Sequence, residues 1–474
     1  MKTSPLFTML LHASQIITYF CHKISTKHFG TSRINIFNTS TSKPHKLNYQ
    51  QQLILKSVSK KQSIFITGSA GTGKSFVVSQ AIDLLKQIYY PNEVFITAST
   101  GVAACALNGQ TLHSFAGVGL GVGSKEGLLR KVLGNKLALK RWKKAKALVI
   151  DEVSMISCEF FENLEYIARM IRASGGSGKN WGGIQLIVSG DFFQLPPIVK
   201  DSLGKEFAFE AECWNDSFHL QVELTQIFRQ SDAELIDLLQ GVRRGRKEEN
   251  HLQILKHCCS EPMEASATVP RLYPRNVDVQ RVNEEKLRTL GGEIVKFVAS
   301  DSGLDRCKKH LSQMLAADEL EICKGARVML IKNKDLDSGL VNGAMGTVVD
   351  FVVSDGNQHK DVSPKGLLPK VRFDSGLVTL ISPEKWDMFE GEKVLATRKQ
   401  IPLILAWAVS VHKCQGMTLD CLHTDLSRAF GYGMVYVALS RVRSLKGLHL
   451  SGFDSLKIKA HPKVLEFYDN QLVS

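Results

Sequence analysis

The sequence predicts an α/β protein with two domains built on parallel sheets and a small β-barrel inserted in the second. Short apolar runs alternate with segments of helical periodicity, and the run SIFIT leads directly into a glycine-rich loop and a helix. Further apolar runs, RVMLI, LILAWAVS and GLHLSG, follow in the C-terminal half and are expected to form the second parallel sheet. Between Val341 and Arg398 lie short β-rich runs separated by Gly and Asp turns, which predict the barrel.

Length and composition exclude several classes of protein. A chain of 474 residues is too long for one core and suits two or three domains. Apolar residues at 44% and charged residues at 22% exclude a largely disordered, collagenous or coiled-coil chain. The sequence contains no run of 18 apolar residues, which is the length that would predict a membrane span. The 10 cysteines form no C-x-x-C pair and no His/Cys cluster at metal-ligand spacing, so we expect reduced thiols and no structural zinc.

The first 46 residues have the composition of a mitochondrial transit peptide. They contain thirteen Ser and Thr, no acid, and six basic residues: Lys2, Lys23, Lys27, Arg33, Lys43 and Lys46. A secretory signal and a disordered basic tail are the alternatives. The whole chain carries a net charge of +14, which favours a polyanionic partner, nucleic acid first.

A phosphate-binding loop follows the first apolar strand. The pattern G-x-x-x-x-G-K-[ST] stands between strand SIFIT and a helix, as a P-loop requires, at Gly68, Ser69, Ala70, Gly71, Thr72, Gly73, Lys74 and Ser75. Its backbone N–H groups would surround the β-phosphate of ATP. Lys74 would reach the β- and γ-phosphates, and the Ser75 hydroxyl would bind Mg²⁺.

Two later strands deliver further polar groups to the same sheet edge. The strand ALVI ends in Asp151, which is placed to hold Mg²⁺, and Glu152, which is placed to polarise the attacking water. Helix capping is the alternative role for this pair. The strand IQLIVS leads into GDFFQLPP, where Gln194 can sense the γ-phosphate. Together with SIFIT and the run VFITAS from Val94, these make four buried strands with intervening helices, which predict a RecA-like P-loop NTPase domain.

Eight motifs, in one order, resemble the superfamily-one DNA helicases of the Pif (petite integration frequency) type, which are relatives of RecD. They are GSAGTGKS, TASTGVAA, GQTLHSFAGVG, LVIDEVSMIS, GDFFQLPP, LTQIFRQ, LAWAVSVHKCQGMTLD and VYVALSRVRSLKGL. The resemblance covers about Leu47 to Phe453. It implies ATP-dependent 5′→3′ unwinding of DNA, G-quadruplexes and RNA–DNA hybrids. It also implies roles in replication, recombination, repair, telomere upkeep and mitochondrial genome maintenance.

The resemblance also assigns residues at the nucleotide. Gln51 would contact the adenine edge, and Arg229 and Arg441 would reach the γ-phosphate from the second domain as arginine fingers. A surface salt bridge is the alternative for either arginine. The implied partners are single-stranded DNA, tailed duplexes, G-quadruplexes and RNA–DNA hybrids, bound by a monomer in mitochondria and also in the nucleus, with no membrane partner.

A single-strand path is implied at six positions: Thr100, His113, Phe115, His412, Gln415 and Thr418. Hydroxyls and amides suit phosphate oxygens, and an aromatic ring suits a stacked base. Core positions under the loop are the alternative for His113 and Phe115. The basic run around Trp142 predicts either a nucleic-acid contact or a solvated helix face, with Lys136, Lys140, Arg141, Lys143, Lys144 and Lys146.

The domain bounds follow from these motifs. The first domain is expected at 47–217, with a small wedge near 117–135 that splits the duplex. The second is expected at 218–340 and 399–474, with the barrel at 341–398. An RNA helicase, a RecD-like helicase and a nucleic-acid-binding protein that uses ATP only as a switch are the competing functions. A structural homologue without activity is not favoured, because each residue that ATP chemistry needs is present.

Overall fold

A computed structural model describes residues 47–470. Outside the description lie 120, 174–177, 198–203, 261–268, 274, 306–310, 312–315, 336–337, 339, 341, 354–358, 364, 391–392, 412–413 and 415–416, besides both chain ends. The predicted transit peptide at 1–46 is therefore outside the described residues. The α/β fold class is confirmed by two parallel sheets with helices packed on them.

The first sheet has six parallel strands. They are β1 (Ile64–Gly68), β2 (Val94–Ala98), β3 (Gln110–Thr111), β4 (Ala147–Asp151), β5 (Gln185–Ser189) and β6 (Leu220–Leu224), in the order β3-β2-β4-β5-β1-β6. The four strands predicted from apolar runs are all present. The boundary expected at residue 218 is wrong, because Ile64 of β1 pairs with Leu220 of β6. The carboxyl ends of all six strands meet at one edge, where ligands bind in such sheets.

Helices cover both faces of this sheet. They are α1 (Tyr49–Ser59), α2 (Lys74–Ile88), α3 (Gly101–Ala106), α4 (Leu112–Ala116), α5 (Lys125–Gly134), α6 (Lys136–Lys144), α7 (Cys158–Arg172) and α8 (Trp214–Ser217). Alternate residues of a strand face opposite sides. Val149 therefore packs with α1 and α2, whereas Leu148 packs with Trp142 of α6 and Leu164 of α7.

The chain then enters the second domain. Helices α9 (Ala233–Arg243) and α10 (Glu249–Ser260) precede strand β7 (Arg271–Tyr273), and α11 (Asn276–Thr289) follows it.

An antiparallel β-rich region interrupts this second domain. Its strands are β8 (Val295–Val298), β9 (Ser300–Gly303), β10 (Glu319–Ile322), β11 (Arg327–Leu330), β12 (Met345–Val353), β13 (Leu367–Phe373), β14 (Val378–Leu380), β15 (Glu384–Glu390), β16 (Lys393–Gln400) and β17 (Leu403–Leu405). They form sheets of order β14-β13-β12-β11-β17, β15-β16-β9 and β10-β8. The insert is thus larger than the expected 341–398. The run RVMLI, expected in the second parallel sheet, lies here, since Val328 pairs with Leu405.

The second parallel sheet resumes after the insert. Its later elements are β18 (Ala408–Ser410), β19 (Leu422–Asp425), α12 (Met434–Leu439), β20 (Leu448–Gly452) and α13 (Pro462–Asn470), and its strand order is β18-β7-β19-β20. The run LILAWAVS is divided between β17 of the insert and β18 of this sheet. The strand predicted for GLHLSG is present as β20.

The last helix, α13, returns to the first domain. The ring of Phe467 stacks on that of Phe209, with centroids 4.4 Å apart, and lies 5.6 Å from that of Phe192. Assigning all of 399–474 to the second domain is therefore wrong for α13. Among the described residues, no helix combines the length and apolar character needed to cross a membrane.

Candidate nucleotide site and nucleic-acid interface

The glycine-rich loop joins β1 to α2 in a tight turn. Gly68, Gly71 and Gly73 adopt φ of 142°, 87° and 83°, a region that L side chains rarely occupy. A Cβ on Gly71 would lie 2.8 Å from the Cβ of Arg229, so only glycine fits. Lys74 Nζ donates to the carbonyl oxygens of Gly68 at 2.7 Å and of Ser69 at 3.0 Å. The loop carbonyls therefore hold the ammonium group at the place where the phosphates would bind.

Two acidic residues stand at the end of β4, as predicted. The Asp151 carboxylate accepts a 2.5 Å hydrogen bond from Ser189 Oγ. Glu152 has φ 55° and ψ 47°, a left-handed conformation that is uncommon for a non-glycine residue. Burial raises the pKa of Glu152 to about 7, and the adjacent charge of Asp151 contributes to the same rise. Burial also lowers the pKa of Lys74, against the nearby charge of Asp191.

A buried ion pair supports the loop that carries Gln194. Arg243 Nη2 donates to Asp191 Oδ1 at 3.0 Å, and its Nη1 donates to Glu223 Oε1 at 2.9 Å. Tyr468 of α13 adds a hydroxyl that lies 2.5 Å from Thr67 Oγ1 and accepts from Phe192 N at 3.2 Å. Helix α9 of the second domain and the C-terminal helix α13 thus hold the Gln194 loop of the first domain in place near the P-loop.

The two predicted arginines meet at this cleft from opposite sides. Arg229 follows β6 of the first sheet, and the neighbouring Phe228 N–H donates to Gly71 O at 2.8 Å. The Arg229 Nη1 donates to Ser440 O at 3.3 Å. Arg229 therefore does not reach across from the second domain, as expected from the resemblance, but points toward it. Burial, and the charge of Arg441, lower the pKa of Arg229 to about 10.

Arg441 belongs to the second domain and is buried. Its guanidinium donates to Val437 O at 2.9 Å, Cys414 O at 3.1 Å and Ser440 Oγ at 2.7 Å. These bonds hold the guanidinium at the wall of the cleft. To contact a phosphate, Arg441 must exchange some of them for phosphate oxygens.

A cavity of about 490 Å³ lies where these groups meet. Both domains line it, through Ala70, Gly71, Gly73, Lys74, Ser75, Phe76, Glu152, Gln194, Phe228, Arg229, Thr418, Arg441 and Arg443. The P-loop, the acid after β4, Gln194 and both arginines are thus brought together. This arrangement can hold a nucleoside triphosphate with cations around its phosphates.

Comparison with known proteins identifies the family. Residues 46–251 match the model of PIF1-like helicases, and residues 311–351 match that of the DNA helicase Pif1 2B domain. The solved structure of Pif1 helicase from Candida albicans is 39% identical, covers 90% of this chain and 99% of that chain, and has a TM-score of 0.72. The chain belongs to the PIF1-like helicase family.

Two other PIF1 relatives extend the comparison. The ATP-dependent DNA helicase PIF1 of Xenopus laevis is 41% identical over 432 residues, which cover 90% of this chain and 65% of that protein. The chain thus spans slightly less than two thirds of the length of such curated relatives. The Bacteroides Pif1 structure in complex with ADP-AlF3 and single-stranded DNA is 26% identical, with a TM-score of 0.59, and covers 90% of this chain and 96% of that chain.

Gln51, which the resemblance assigns to the adenine edge, lies beside Gly73 of the P-loop and is not among the residues that line the cavity. Gln51 is buried in α1, and its Nε2 would lie 3.4 Å from a Cβ on Gly73. Its Oε1 accepts from Asn48 N at 3.1 Å, which fixes the amide. Phe228 lies beside the same glycine with 54% of its surface exposed. Phe228 also lines the cavity, although only Arg229 of the LTQIFRQ motif is selected from the sequence.

The residues expected on the single-strand path do not share one environment. Phe115 is wholly buried between the rings of Phe95 and Trp142, at 5.0 and 4.8 Å, so its predicted role in base stacking is wrong and it is a core residue. His113 is half-buried and stacks on the Phe160 ring at 4.3 Å, and burial lowers the pKa of His113. His412 and Gln415 lie outside the described residues.

Thr100 and Thr418 lie at different places in the fold, and their contact with DNA stays a prediction. Thr100 Oγ1 accepts from Ala103 N at 3.2 Å and so caps α3. Thr418 lines the nucleotide cavity. Trp142 and Arg141 of the basic run are buried, which corrects the nucleic-acid interpretation for these two residues.

Proposed function

We propose that this chain is an ATP-dependent DNA helicase that translocates 5′→3′ along single-stranded DNA and separates duplexes. The observation that carries the proposal is the cavity lined by both domains, with Lys74 and Glu152 on one side and Arg441 on the other. A ligand in this position makes the relative position of the two domains depend on the state of the nucleotide. The names of the PIF1 relatives support the same activity.

The residues divide the chemistry of ATP hydrolysis between them. Lys74 leaves the carbonyls of Gly68 and Ser69 for the β- and γ-phosphates and offsets their charge. Glu152 accepts a proton from the attacking water, and its raised pKa suits a general base near neutral pH. Gln194 donates its amide N–H to the γ-phosphate. Water attacks the γ-phosphorus, the bond to the β-phosphate oxygen breaks, and ADP and phosphate leave.

Ser75 and Asp151 suit a magnesium ion bound with ATP. A hydroxyl and a carboxylate are oxygen donors of the kind that Mg²⁺ takes beside phosphates. Ser75 lines the cavity, and Asp151 stands at the end of β4 with one oxygen held by Ser189. When bound, the ion would neutralise charge on the phosphate oxygens. Among the described residues, no group of three or more His, Cys, Asp or Glu is arranged to hold another metal.

The arginines connect hydrolysis to movement. Arg229 already bonds to Ser440, the neighbour of Arg441, so the two guanidinium groups enter the cleft together. Both stabilise the charge that develops on the leaving phosphoryl group. Once phosphate has left, they lose this partner and the cleft opens. If each domain holds the strand in turn, one cycle advances the protein by about one nucleotide.

We infer the substrates and pathways from the family. Single-stranded DNA is the substrate that the Bacteroides complex supports, and we add tailed duplexes to it. We extend this proposal to G-quadruplexes and RNA–DNA hybrids, and to replication, recombination, repair, and telomere and mitochondrial genome maintenance. The protein acts as a monomer, with 117–135 as the wedge between strands.

We also propose mitochondrial import, with a second pool in the nucleus. The acid-free, basic composition of 1–46 supports it. Residues 1–46 fused to a fluorescent protein should direct it to mitochondria, and a fusion in which the six basic residues are replaced by Gln should remain outside.

The decisive experiment uses residues 47–474 and a duplex that carries either a 5′ or a 3′ single-stranded tail. We expect ATP-dependent opening with the 5′ tail alone, and ATPase activity strongly stimulated by single-stranded DNA. ATPase activity without opening on either tail would support the switch function instead. Preference for RNA duplexes would assign the chain to RNA helicases.

A further inference from the structure

A strongly basic segment lies on the first domain, away from the nucleotide cavity. Between Glu126 and Asp151 the chain contains no acidic residue and eight basic ones: Arg130, Lys131, Lys136, Lys140, Arg141, Lys143, Lys144 and Lys146. They belong to α5, to α6 and to the turn after α6. The proposed ATP chemistry uses none of them.

Helix α6 has two chemically distinct sides. On its inner side, Arg141 Nε donates to Phe115 O at 2.8 Å and its Nη2 to Ser114 O at 2.7 Å. Trp142 Nε1 donates to Ala116 O at 3.1 Å. This side attaches α6 firmly to α4, the helix that carries His113.

The outer side of α6 presents lysines to solvent. Lys136, Lys140 and Lys143 are exposed and spaced by four and three residues, so they share one face over about 10 Å of helix. We call the following exposed residues of α5, α6 and the next turn the lysine face: Arg130, Lys131, Lys136, Lys140, Lys143 and Lys146.

The lysine face has no internal counter-charge. Within the part of the chain that the structure describes, none of its residues forms an ion pair with a carboxylate. Basic residues three and four apart repel one another on a helix, which costs a few tenths of a kcal/mol per pair. A solvated helix face usually mixes both signs of charge, and this face does not. A polyanion is the partner that its charge complements.

The chemistry of the face favours duplex DNA over a single strand. Proteins that hold single strands place exposed aromatic rings among the basic residues, and the bases stack on them. Trp142, which is buried, is the sole aromatic residue between Lys125 and Lys146. Lysines without rings bind phosphates regardless of sequence.

We propose that the lysine face binds the backbone phosphates of duplex DNA ahead of the point of strand separation. This inference rests on the proposed helicase function. Arg130 and Lys131 of the face lie within the segment 117–135, which we propose as the wedge, and the attachment of α6 to α4 holds the other lysines beside that segment. Duplex held there would be presented to the wedge while the single strand lies along the domain edge.

The test compares two triple variants of residues 47–474. One is K136Q/K140Q/K143Q on the lysine face. The matched control is K56Q/K60Q/K86Q, which removes three exposed lysines of α1, α2 and the turn after α1, on the opposite side of the same sheet. Both variants lose the same charge. Binding is measured to a fluorescent single strand and to a duplex with that strand as its 5′ tail, over a series of salt concentrations.

We expect the lysine-face variant to bind the tailed duplex several-fold more weakly than the parent protein does. The slope of log affinity against log salt for this substrate should be shallower by up to about 2.7, since each phosphate contact contributes about 0.9. Its affinity for the single strand and its single-strand-stimulated ATPase activity should be unchanged. The control should match the parent protein on both substrates.

Three outcomes would overturn the inference. Equal loss on both substrates would place the face on the single-strand path. Equal loss in the control would show an effect of net charge alone. Unchanged duplex affinity would show that the face binds no duplex. If the parent protein itself fails to open the tailed duplex, the proposed function fails, while the binding comparison still decides the role of the face.

Discussion

Glu152 combines an unusual backbone conformation with an unusual acidity. Its positive φ follows directly from the end of β4, and a residue in this region is held there at a cost of about 1–3 kcal/mol. The same turn keeps its carboxyl in the cavity beside Asp151 and Lys74, where burial raises its pKa. Strain and acidity therefore have one structural cause, the turn that carries the acid into the cleft.

The first prediction concerns pH. Below a pH of about 7 the Glu152 carboxyl holds its own proton and cannot accept one from water, so ATP turnover should rise as the pH increases through about 7 and then level off. Turnover by residues 47–474 with saturating single-stranded DNA measures this. The Glu152→Gln variant should bind ATP yet show low turnover without this rise. A flat profile for the unaltered protein would contradict the role of Glu152 as base.

The second prediction separates the P-loop lysine from lysines in general. Lys74→Ala should abolish hydrolysis, because the β- and γ-phosphates lose the cation that the loop encloses. Lys86→Ala, at an exposed position near the end of the same helix, should leave turnover unchanged. Steady-state ATPase assays compare the two. Appreciable DNA unwinding by Lys74→Ala would refute the site.

Local sequence patterns predict side chains better at the nucleotide than along the DNA. Lys74, Glu152 and Gln194 are found together because each follows an apolar strand of one parallel sheet. Phe115 and Trp142 were misinterpreted because burial depends on which residues pack above them, and the sequence of a short helix does not specify this. An aromatic residue next to polar residues has the same local pattern in a core and in a groove.

Helix α9 meets the first domain through one buried arginine. Arg243 and Asp191 are 4% and 0% exposed, and they pair at 3.0 Å beside the rings of Phe193 and Tyr468. The pairing holds the loop of Gln194 in a fixed position against α9 of the second domain. Nothing in the sequence AELIDLLQGVRRG distinguishes Arg243 from its neighbour Arg244, which is why sequence reasoning did not select it.

The third prediction uses this pair of neighbours. Arg243→Met leaves the Asp191 charge buried without its partner and should lower the free energy of unfolding by about 3–5 kcal/mol. Arg244→Met removes an exposed ion pair with Asp469 and should cost no more than about 1 kcal/mol. Urea denaturation followed by circular dichroism measures both. Equal losses of unfolding free energy in the two variants would mean that the buried pair contributes no more to stability than the exposed one.

Strand assignments failed where sheet membership depends on distant residues. The segment that forms β6 lies after the expected domain boundary at residue 218, and only its pairing with β1 assigns it to the first sheet. The run at β11 belongs to the insert for the same reason, through its pairing with β17. The sequence of a short β-strand does not specify which strand it pairs with. The four strands that adjoin chemical motifs were correctly assigned because the motifs identify their sheet.

At the scale of the whole molecule, Arg441 joins the two domains at the cleft. The fourth prediction is that Arg441→Ala binds ATP and single-stranded DNA but loses the stimulation of ATPase activity by DNA. The reason is that the second domain then lacks the buried guanidinium that we place on the γ-phosphate. ATPase rates with and without DNA, together with both binding constants, measure this. Normal stimulation in the variant would exclude Arg441 from the finger role.

The return of α13 to the first domain also bears on the order in which the chain can fold. Phe467 and Tyr468 contact Phe65, Phe192 and Thr67, partners that are separated from them by up to about 400 positions in the chain. While the ribosome synthesises the protein, the first domain therefore leaves the exit tunnel with an aromatic cavity unfilled. The core of the first domain must remain incomplete until residues 462–470 have been synthesised. Contacts of such long range slow folding and leave apolar surface exposed to aggregation in the meantime. A chaperone has its longest opportunity to bind during this interval.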